Sequence, residues 1–235
     1  MTQLTRAQAH LTDRFTSHLD WLVAALCLVP AVGFVLAWHM QVDLATFARF
    51  AILPALLALV ACETWMARKA PAMLKRLATG LMGGLVATAA FDLVRLPASL
   101  LFKGAPDFVP LLGQHLLGET IGIAPTVKAV MLGYGFHYLL MGALLGGAYA
   151  LIAGRVHAAW GLGAGLVTGL AFAALPQFQL LSVGSGFSVE VAMAVVVTAF
   201  AAAGAILGTV VEGLGRANPT VTPIGFWRET PVEAK

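Results

Sequence analysis

Asp92, Arg95 and His137 are the residues of this sequence whose types could do chemistry together. Asp92 and Arg95 lie about one helical turn apart, and Tyr134 and Tyr138 lie on either side of His137 in the next apolar segment. Carboxylate and guanidinium groups form ion pairs, and a carboxylate beside an imidazole can exchange a proton near neutral pH. All five residues lie in stretches that are otherwise apolar enough to cross a lipid bilayer.

The position of these groups along the chain leaves three interpretations open. At about 1.5 Å per residue, Asp92 and His137 each lie about 13 Å from the same end of neighbouring predicted helices. A charge inside the hydrocarbon costs at least about 2.5 to 3.5 kcal/mol, so such residues usually face a bundle interior, a partner or a water-filled cavity. The leading interpretation is a buried ion pair that ties helices together. The others are a path for protons or ions and a pocket for a cofactor such as a quinone. A haem held by His137 and His39 fits less well, because His39 lies too near the water to match the depth of His137. Because the leading interpretation needs no cofactor, none is expected.

A second pair of candidate residues lies in the segment that joins these two helices. His115 and Glu119 are four residues apart, a spacing that places two side chains on one face of a helix and that some metal sites use. The four leucines around them favour an amphipathic segment that lies on the outer surface of the membrane or dips into it. With no second pair of ligands at such a spacing, the sequence gives metal binding little support.

The composition restricts the class of protein. The 235 residues are 60% hydrophobic and 11% charged, whereas a soluble domain has about 25% charged residues. Apolar runs without strand-like alternation favour helices over a barrel, so we predict an all-α polytopic membrane bundle. The sequence contains no Walker motif, nucleophile elbow, HExxH or CxxC pair, so we do not expect an enzyme.

Six apolar segments are long enough to cross a core of about 30 Å as helices. Pro176 lies inside the fifth segment, where a proline kinks or ends a helix. The six predicted helices are Trp21–Trp38, Ala45–Met66, Leu77–Phe102, Val127–Gly154, Ala159–Leu181 and Val189–Gly213.

The distribution of basic residues predicts the orientation. Loops rich in Lys and Arg tend to stay in the cytoplasm, and a six-helix arrangement with both termini inside places ten of the fourteen basic residues there. We therefore expect a bacterial inner-membrane protein with an interfacial segment over residues 1–19, helices 1 and 2 over 20–67 and a cytoplasmic tail over 214–235. The net charge of +3 reflects this topology, so no nucleic-acid partner is expected.

The second half of the chain resembles two copies of one helical hairpin. Helices 3 and 5 align at an offset of 81 residues, and helices 4 and 6 align at an offset of 62. The first copy covers residues 77–154 with an outer loop over 103–126, and the second covers 159–213. Both copies run in the same direction, so the predicted duplication is parallel. Its second copy has Ala173 and Ala199 where the first has Asp92 and His137.

Glycines spaced four residues apart recur in both hairpins and predict close helix packing, because small residues let backbones approach in a membrane. A glycine-rich sequence with a histidine before a GxxxG turn, here His137 with Gly142 and Gly146, resembles small uncharacterised bacterial inner-membrane proteins of four helices. The resemblance covers about residues 77–215 and implies a fold without an assigned activity. The predicted packing glycines are Gly80, Gly84, Gly142, Gly146, Gly161, Gly165, Gly169, Gly204 and Gly208.

These features predict a non-catalytic membrane protein, an accessory or scaffold subunit of a larger complex. Its expected partners are the lipid bilayer and either other membrane proteins or a second copy of the chain. The alternatives are a small transporter or channel that uses the polar site, and a redox subunit associated with quinone or haem.

Overall fold

The structure is a computed structural model, and it describes residues 3–40, 42–101, 107–120, 124–153, 158–176, 178 and 188–217, with the side chains of 3–17, 38–40, 99 and 214–217 excepted. All regular structure within these residues is helical. The helices are α1 Gln3–Met40, α2 Leu44–Lys69, α3 Pro71–Leu101, α4 Phe108–Leu117, α5 Val127–Ala153, α6 Ala158–Ala173 and α7 Val189–Ala217.

Five of these helices, α1, α2, α3, α5 and α7, are long and apolar enough to cross a membrane. The prediction of an all-α membrane protein is thereby confirmed. The fifth predicted span is shorter than expected, since α6 has 16 residues and ends at Ala173. Its end precedes Pro176, and a proline disfavours helical backbone at the residue before it and blocks the helical hydrogen bond of its own nitrogen.

The distribution of side chains between interior and surface is the inverse of that in a soluble protein. Leu93 is 75% exposed, while its neighbour Asp92 is 4% exposed. Large apolar side chains also cover the outer faces of α2 and α6. A bilayer would solvate such a surface, whereas water would not.

The helices at the centre pack in a defined order. α6 packs against α7, α7 against α3, and α3 against α5, while α1 covers the C-terminal half of α5 and α2 packs against α1. The short helix α4 packs against the beginning of α5, where Gly113 and Gly133 bring the two backbones together. Along their described lengths α5 and α6 make at most marginal contact. The four helices α3, α5, α6 and α7 therefore do not close into a ring between α5 and α6.

Glycines lie where α3 contacts α5 and where α6 contacts α7. A methyl group at Gly84 would overlap the carbonyl oxygen of Gly142, and one at Gly80 would overlap that of Gly146. Between α6 and α7, a methyl group at Gly161 would overlap the carbonyl oxygen of Gly204, and Gly165 faces Phe200 in the same way. Equivalent contact positions on α5 and α7 are therefore 58 residues apart in the sequence. This offset differs by about one helical turn from the 62 residues given by the sequence alignment.

The first helix is longer than the predicted span. α1 is continuous from Gln3 to Met40, so it includes most of the segment over residues 1–19, whose place at the membrane surface stays a prediction. No proline or glycine occurs between Gln3 and Val29 to end a helix there. The predicted tail over 214–235 lies outside the described residues from position 218 onward.

Candidate functional site

Two helices bring the predicted polar residues together. Asp92 and Arg95 lie on one face of α3, and Arg95 Nε donates to Asp92 Oδ1 at 3.0 Å, with Nη2 2.9 Å from the same oxygen. His137 comes from α5, and its Nε2 lies 3.4 Å from Asp92 Oδ1. All three side chains are buried. The structure therefore unites the residues whose equal depth was predicted from the sequence.

A second carboxylate, Asp107, completes the network and was missed by the sequence analysis. Arg95 Nη1 donates to Asp107 Oδ1 at 2.5 Å, and Tyr134 donates to Asp107 Oδ2 at 3.3 Å. Asp107 also caps α4 by accepting a hydrogen bond from the amide of Val109. An aspartate directly before an apolar helix is a typical cap, and this was the one signal that could have drawn attention to it.

The local structure of α5 changes where His137 enters the site. Residues Phe136–Ala143 form π-helical turns, and such turns often occur at functional sites because they re-aim the side chains of a helix. Tyr138 follows His137 and interacts electrostatically with Asp92. Oδ2 of Asp92 nevertheless accepts no hydrogen bond from any described residue.

The charges of this cluster nearly balance. Two carboxylates face one guanidinium, so the group carries one net negative charge while His137 is neutral and none when it is protonated. Leaving a buried charge unpaired is costly, so the loss of any one partner would destabilise the others. The arrangement can therefore tie α3, α4 and α5 together.

Aromatic rings pack against the cluster. The guanidinium carbon of Arg95 lies 5.0 Å from the ring centre of Phe108, a cation–π contact. Phe91 lies with its ring centre 5.7 Å from that of His137 and 5.0 Å from that of Phe200. These contacts extend the site from α3 and α5 to α7.

A cavity of 320 Å³ begins at this aromatic group and runs between the helices. Its walls are almost entirely apolar, and glycines from α3, α5, α6 and α7 form much of its surface. His137 lines one part of it, and Tyr149, about three turns further along α5, lines another. The sequence analysis kept a cofactor pocket at this site as one alternative, but it did not predict that glycines of four helices would form the walls.

The outer-loop pair does not lie on one helical face. His115 is on α4, but the helix ends at Leu117 and Gly118 adopts the left-handed conformation that places Glu119 beyond it. Glu119 instead accepts a hydrogen bond from the hydroxyl of Thr126 at 2.6 Å. Within the described residues, no group of three or more His, Cys, Asp or Glu side chains has the arrangement of a metal site. The side chain of His39, the second residue of the suggested haem pair, lies outside those described.

Five apolar spans, exposed leucines and buried charges together define an integral membrane protein of the all-α class. No family model matches the chain, and neither the curated proteins nor the solved structures include one that is significantly similar to it.

Proposed function

We propose that the chain is a non-catalytic accessory or scaffold subunit of a membrane complex. The observation that supports this function is the mutual pairing of the buried charges, since Arg95 binds both Asp92 and Asp107. In an active site, the ionisable groups must be able to contact the substrate. The side chains of Asp92 and Arg95 are each only 5% exposed and are bound to each other. Such a network stabilises a fixed arrangement of helices.

The helix packing supports the same role. The backbone contacts through Gly84 and Gly161 leave little room for the helices to slide past one another. The outer face of α2 carries Phe50 and Leu57 at its surface, and this face suits lipid or the apolar helices of other subunits. A rigid bundle with an apolar surface is what an accessory subunit requires.

The proposed topology has six membrane-crossing segments, with both termini in the cytoplasm of a bacterium. It counts α6 together with the residues that follow it up to Leu181 as the fifth segment. Supporting it are the positions of the basic residues and the five long helices. The similar glycine contacts of the α3–α5 and α6–α7 pairs support a parallel duplication of one hairpin.

Labelling of single cysteines tests this topology. In a chain with Cys27 and Cys62 replaced by Ala, we expect Thr120→Cys to react with a membrane-impermeant maleimide in intact cells. A cysteine added after Lys235 should react only after the membrane is opened. Equal labelling of both positions in intact cells would contradict the proposed orientation.

Isolation from native membranes tests the accessory role. The full chain, tagged at its C-terminus, would be extracted in a mild detergent and its complexes weighed by native mass spectrometry. We expect assemblies heavier than the 24.5 kDa chain, with another membrane protein at a constant ratio that reciprocal tagging reproduces. Recovery of the chain alone, or only as copies of itself, would contradict an accessory role in a larger complex.

The contact between the Asp92 carboxylate and the His137 imidazole favours a second candidate function, proton-linked transport, because ionisable groups inside a membrane often mark a path for protons or ions. Oδ2 of Asp92 is buried and accepts no hydrogen bond from a described residue. Flux of protons into liposomes that contain the wild-type chain, lost in Asp92→Asn, would support transport. Liposomes in which nothing moves, or in which Asp92→Asn behaves like the wild type, would contradict it.

A further inference from the structure

We propose that the central cavity binds an uncharged lipophilic molecule that has a planar, carbonyl-bearing head and a hydrocarbon tail. Its volume of 320 Å³ is at the lower end of the range for small-molecule sites, about 300 to 1,000 Å³. This site does not depend on whether the chain is an accessory subunit, since it follows from the interior of the bundle alone.

The cavity is wide because many of its lining residues are glycines, which have no side chain. Gly84 and Gly146 of the first helix pair and Gly161 and Gly165 of the second all line it. The same glycines allow the helix backbones to touch, so a larger residue at these positions would both fill the cavity and separate the helices. The resulting surface is smooth and apolar, as a hydrocarbon chain requires.

The open side of the bundle gives this interior a connection to the lipid phase. α5 and α6 both line the cavity but make at most marginal contact with each other along their described lengths. Thr168 of α6 is exposed and belongs to the lining. A lipophilic molecule could therefore enter from the membrane between these two helices.

The aromatic end of the cavity is suited to a planar head. Phe91, Phe108, Phe172 and Phe200 are in contact through their rings, with centres 5.0 to 6.4 Å apart, and all four line the cavity. Such spacing is that of edge-to-face and offset pairs, and the rings that line the cavity give a flat head an aromatic surface to pack against.

His137 supplies the polar contact at that end. Its side chain is 9% exposed and the residue lines the cavity, and Nε2 makes no hydrogen bond with a described residue, although Asp92 Oδ1 lies 3.4 Å away. Asp92 of α3 and Tyr138 on its own helix lie beside it, and Asp92 is joined through Arg95 to Asp107, which also accepts from Tyr134. Because this cluster carries one net negative charge with neutral His137, an anionic head is disfavoured, while a carbonyl oxygen can accept a hydrogen bond from the imidazole.

Tyr149 gives the cavity a polar position away from the head. Its hydroxyl makes no hydrogen bond with any described residue, and both Tyr149 and Gly161 of α6 line the cavity. Twelve residues separate it from His137, which corresponds to about 18 Å along an α-helix. An elongated molecule with its head at His137 would extend its tail toward this tyrosine.

Binding of a benzoquinone with a decyl tail to the full chain in phospholipid nanodiscs tests the site. The readout is saturable quenching of tryptophan fluorescence, together with the rise in melting temperature that ligand binding produces. Thr168→Phe, which puts a ring into the cavity from an exposed position, should raise the Kd about tenfold or more. Val167→Phe changes the preceding residue, which does not line the cavity, and should leave the Kd unchanged.

Decylbenzene, which has the same tail and a ring without carbonyls, tests the polar end. We expect it to bind about two- to tenfold more weakly than the quinone, the effect of one hydrogen bond. The difference should vanish in His137→Leu and persist in part in His137→Gln, which keeps a hydrogen-bonding side chain.

Several results would overturn the proposal. Quenching that rises linearly without saturation would show partition into the bilayer only. Equal Kd values for Thr168→Phe and Val167→Phe would show that the probe binds elsewhere. Equal affinities for the quinone and decylbenzene in the wild type would overturn the assignment of the head to His137.

Discussion

Arg95 Nη1 lies 2.5 Å from Asp107 Oδ1, so an arginine inside α3 is bound to the residue that caps α4. The contact joins an apolar helix to the short helix that follows it, across five residues outside the described set. The same guanidinium also binds Asp92, which places one cation between two carboxylates. The position of α4 over the polar site is thus linked to the charge of a single residue.

Replacing Asp107 with Asn should separate its electrostatic role from its capping role. Asparagine caps a helix about as well as aspartate, so the bond from the Val109 amide is retained while the charge on Arg95 loses a partner. The side chain of Asp107 is 34% exposed, so we expect a loss of about 1 to 2 kcal/mol in the free energy of unfolding, after allowance for solvent screening.

Unfolding of the full chain in mixed micelles of dodecyl maltoside and sodium dodecyl sulfate would measure this loss. Asp107→Ala, which removes the cap as well, should lose about 1 kcal/mol more. Wild-type stability in Asp107→Asn would show that the ion pair contributes nothing measurable.

A double-mutant cycle should reveal the coupling between Asp92 and Arg95. Arg95→Met leaves Asp92 buried without its cation and should cost about 3 to 5 kcal/mol. Adding Asp92→Asn removes the uncompensated charge, so the double variant should be more stable than Arg95→Met alone, with a coupling of about 0.5 to 3 kcal/mol. The same micelle titration measures all four proteins, and additive losses would argue against a direct interaction.

The helices and the polar pair could be predicted because they depend on local patterns. Long apolar runs specify the five long helices, and the position of Asp92 and His137 along neighbouring segments places them at one depth. Asp107 could not be found in this way, since it acquires its role only when α4 folds back onto α5. The end of α6 before Pro176 was marked in the sequence, but the proline alone does not decide between a kink and an end.

The register of the two hairpins shows a different limit of the sequence. A stripe of glycines spaced four apart matches itself again after a shift of four residues, so letters alone cannot choose between neighbouring turns. The sequence alignment of the two hairpins pairs Gly142 with Gly204. In the structure, Gly204 makes the contact that Gly146 makes in the first hairpin, and Phe200 makes the contact that Gly142 makes. The glycine-lined walls of the cavity depend on that register, which explains why they could not be predicted from the sequence.

His115 should make the stability of the chain depend on pH. Partial burial on α4 lowers the pKa of His115, and the Asp43 carboxylate offsets part of this effect. The unfolded chain, with a histidine pKa of about 6.5, then binds more protons than the folded chain as the pH falls. Stability from this residue is complete above that pH and is lost as the pH falls through the lowered pKa of the folded chain.

Melting temperatures at pH 7.5 and at pH 5.5 would measure this dependence. His115→Gln should reduce the difference between the two temperatures, while Asp43→Asn, which keeps the cap of α2, should increase it. An unchanged difference in His115→Gln would assign the acid sensitivity to other groups.

Two glycines on α6 should respond to the same substitution with opposite sign. Gly161 touches the backbone of α7 at Gly204 and Gly208, so Gly161→Ala forces the helices apart and should cost about 1 to 3 kcal/mol. Gly163 lies two residues further along with open space around it, so Gly163→Ala gains helix propensity, up to about 1 kcal/mol, and displaces nothing. Micelle unfolding of the two variants gives both signs in one experiment, and it isolates the backbone contact because the helix and the added methyl group are the same. Equal stability of the two variants would mean that α6 and α7 do not meet at Gly161 in the folded protein.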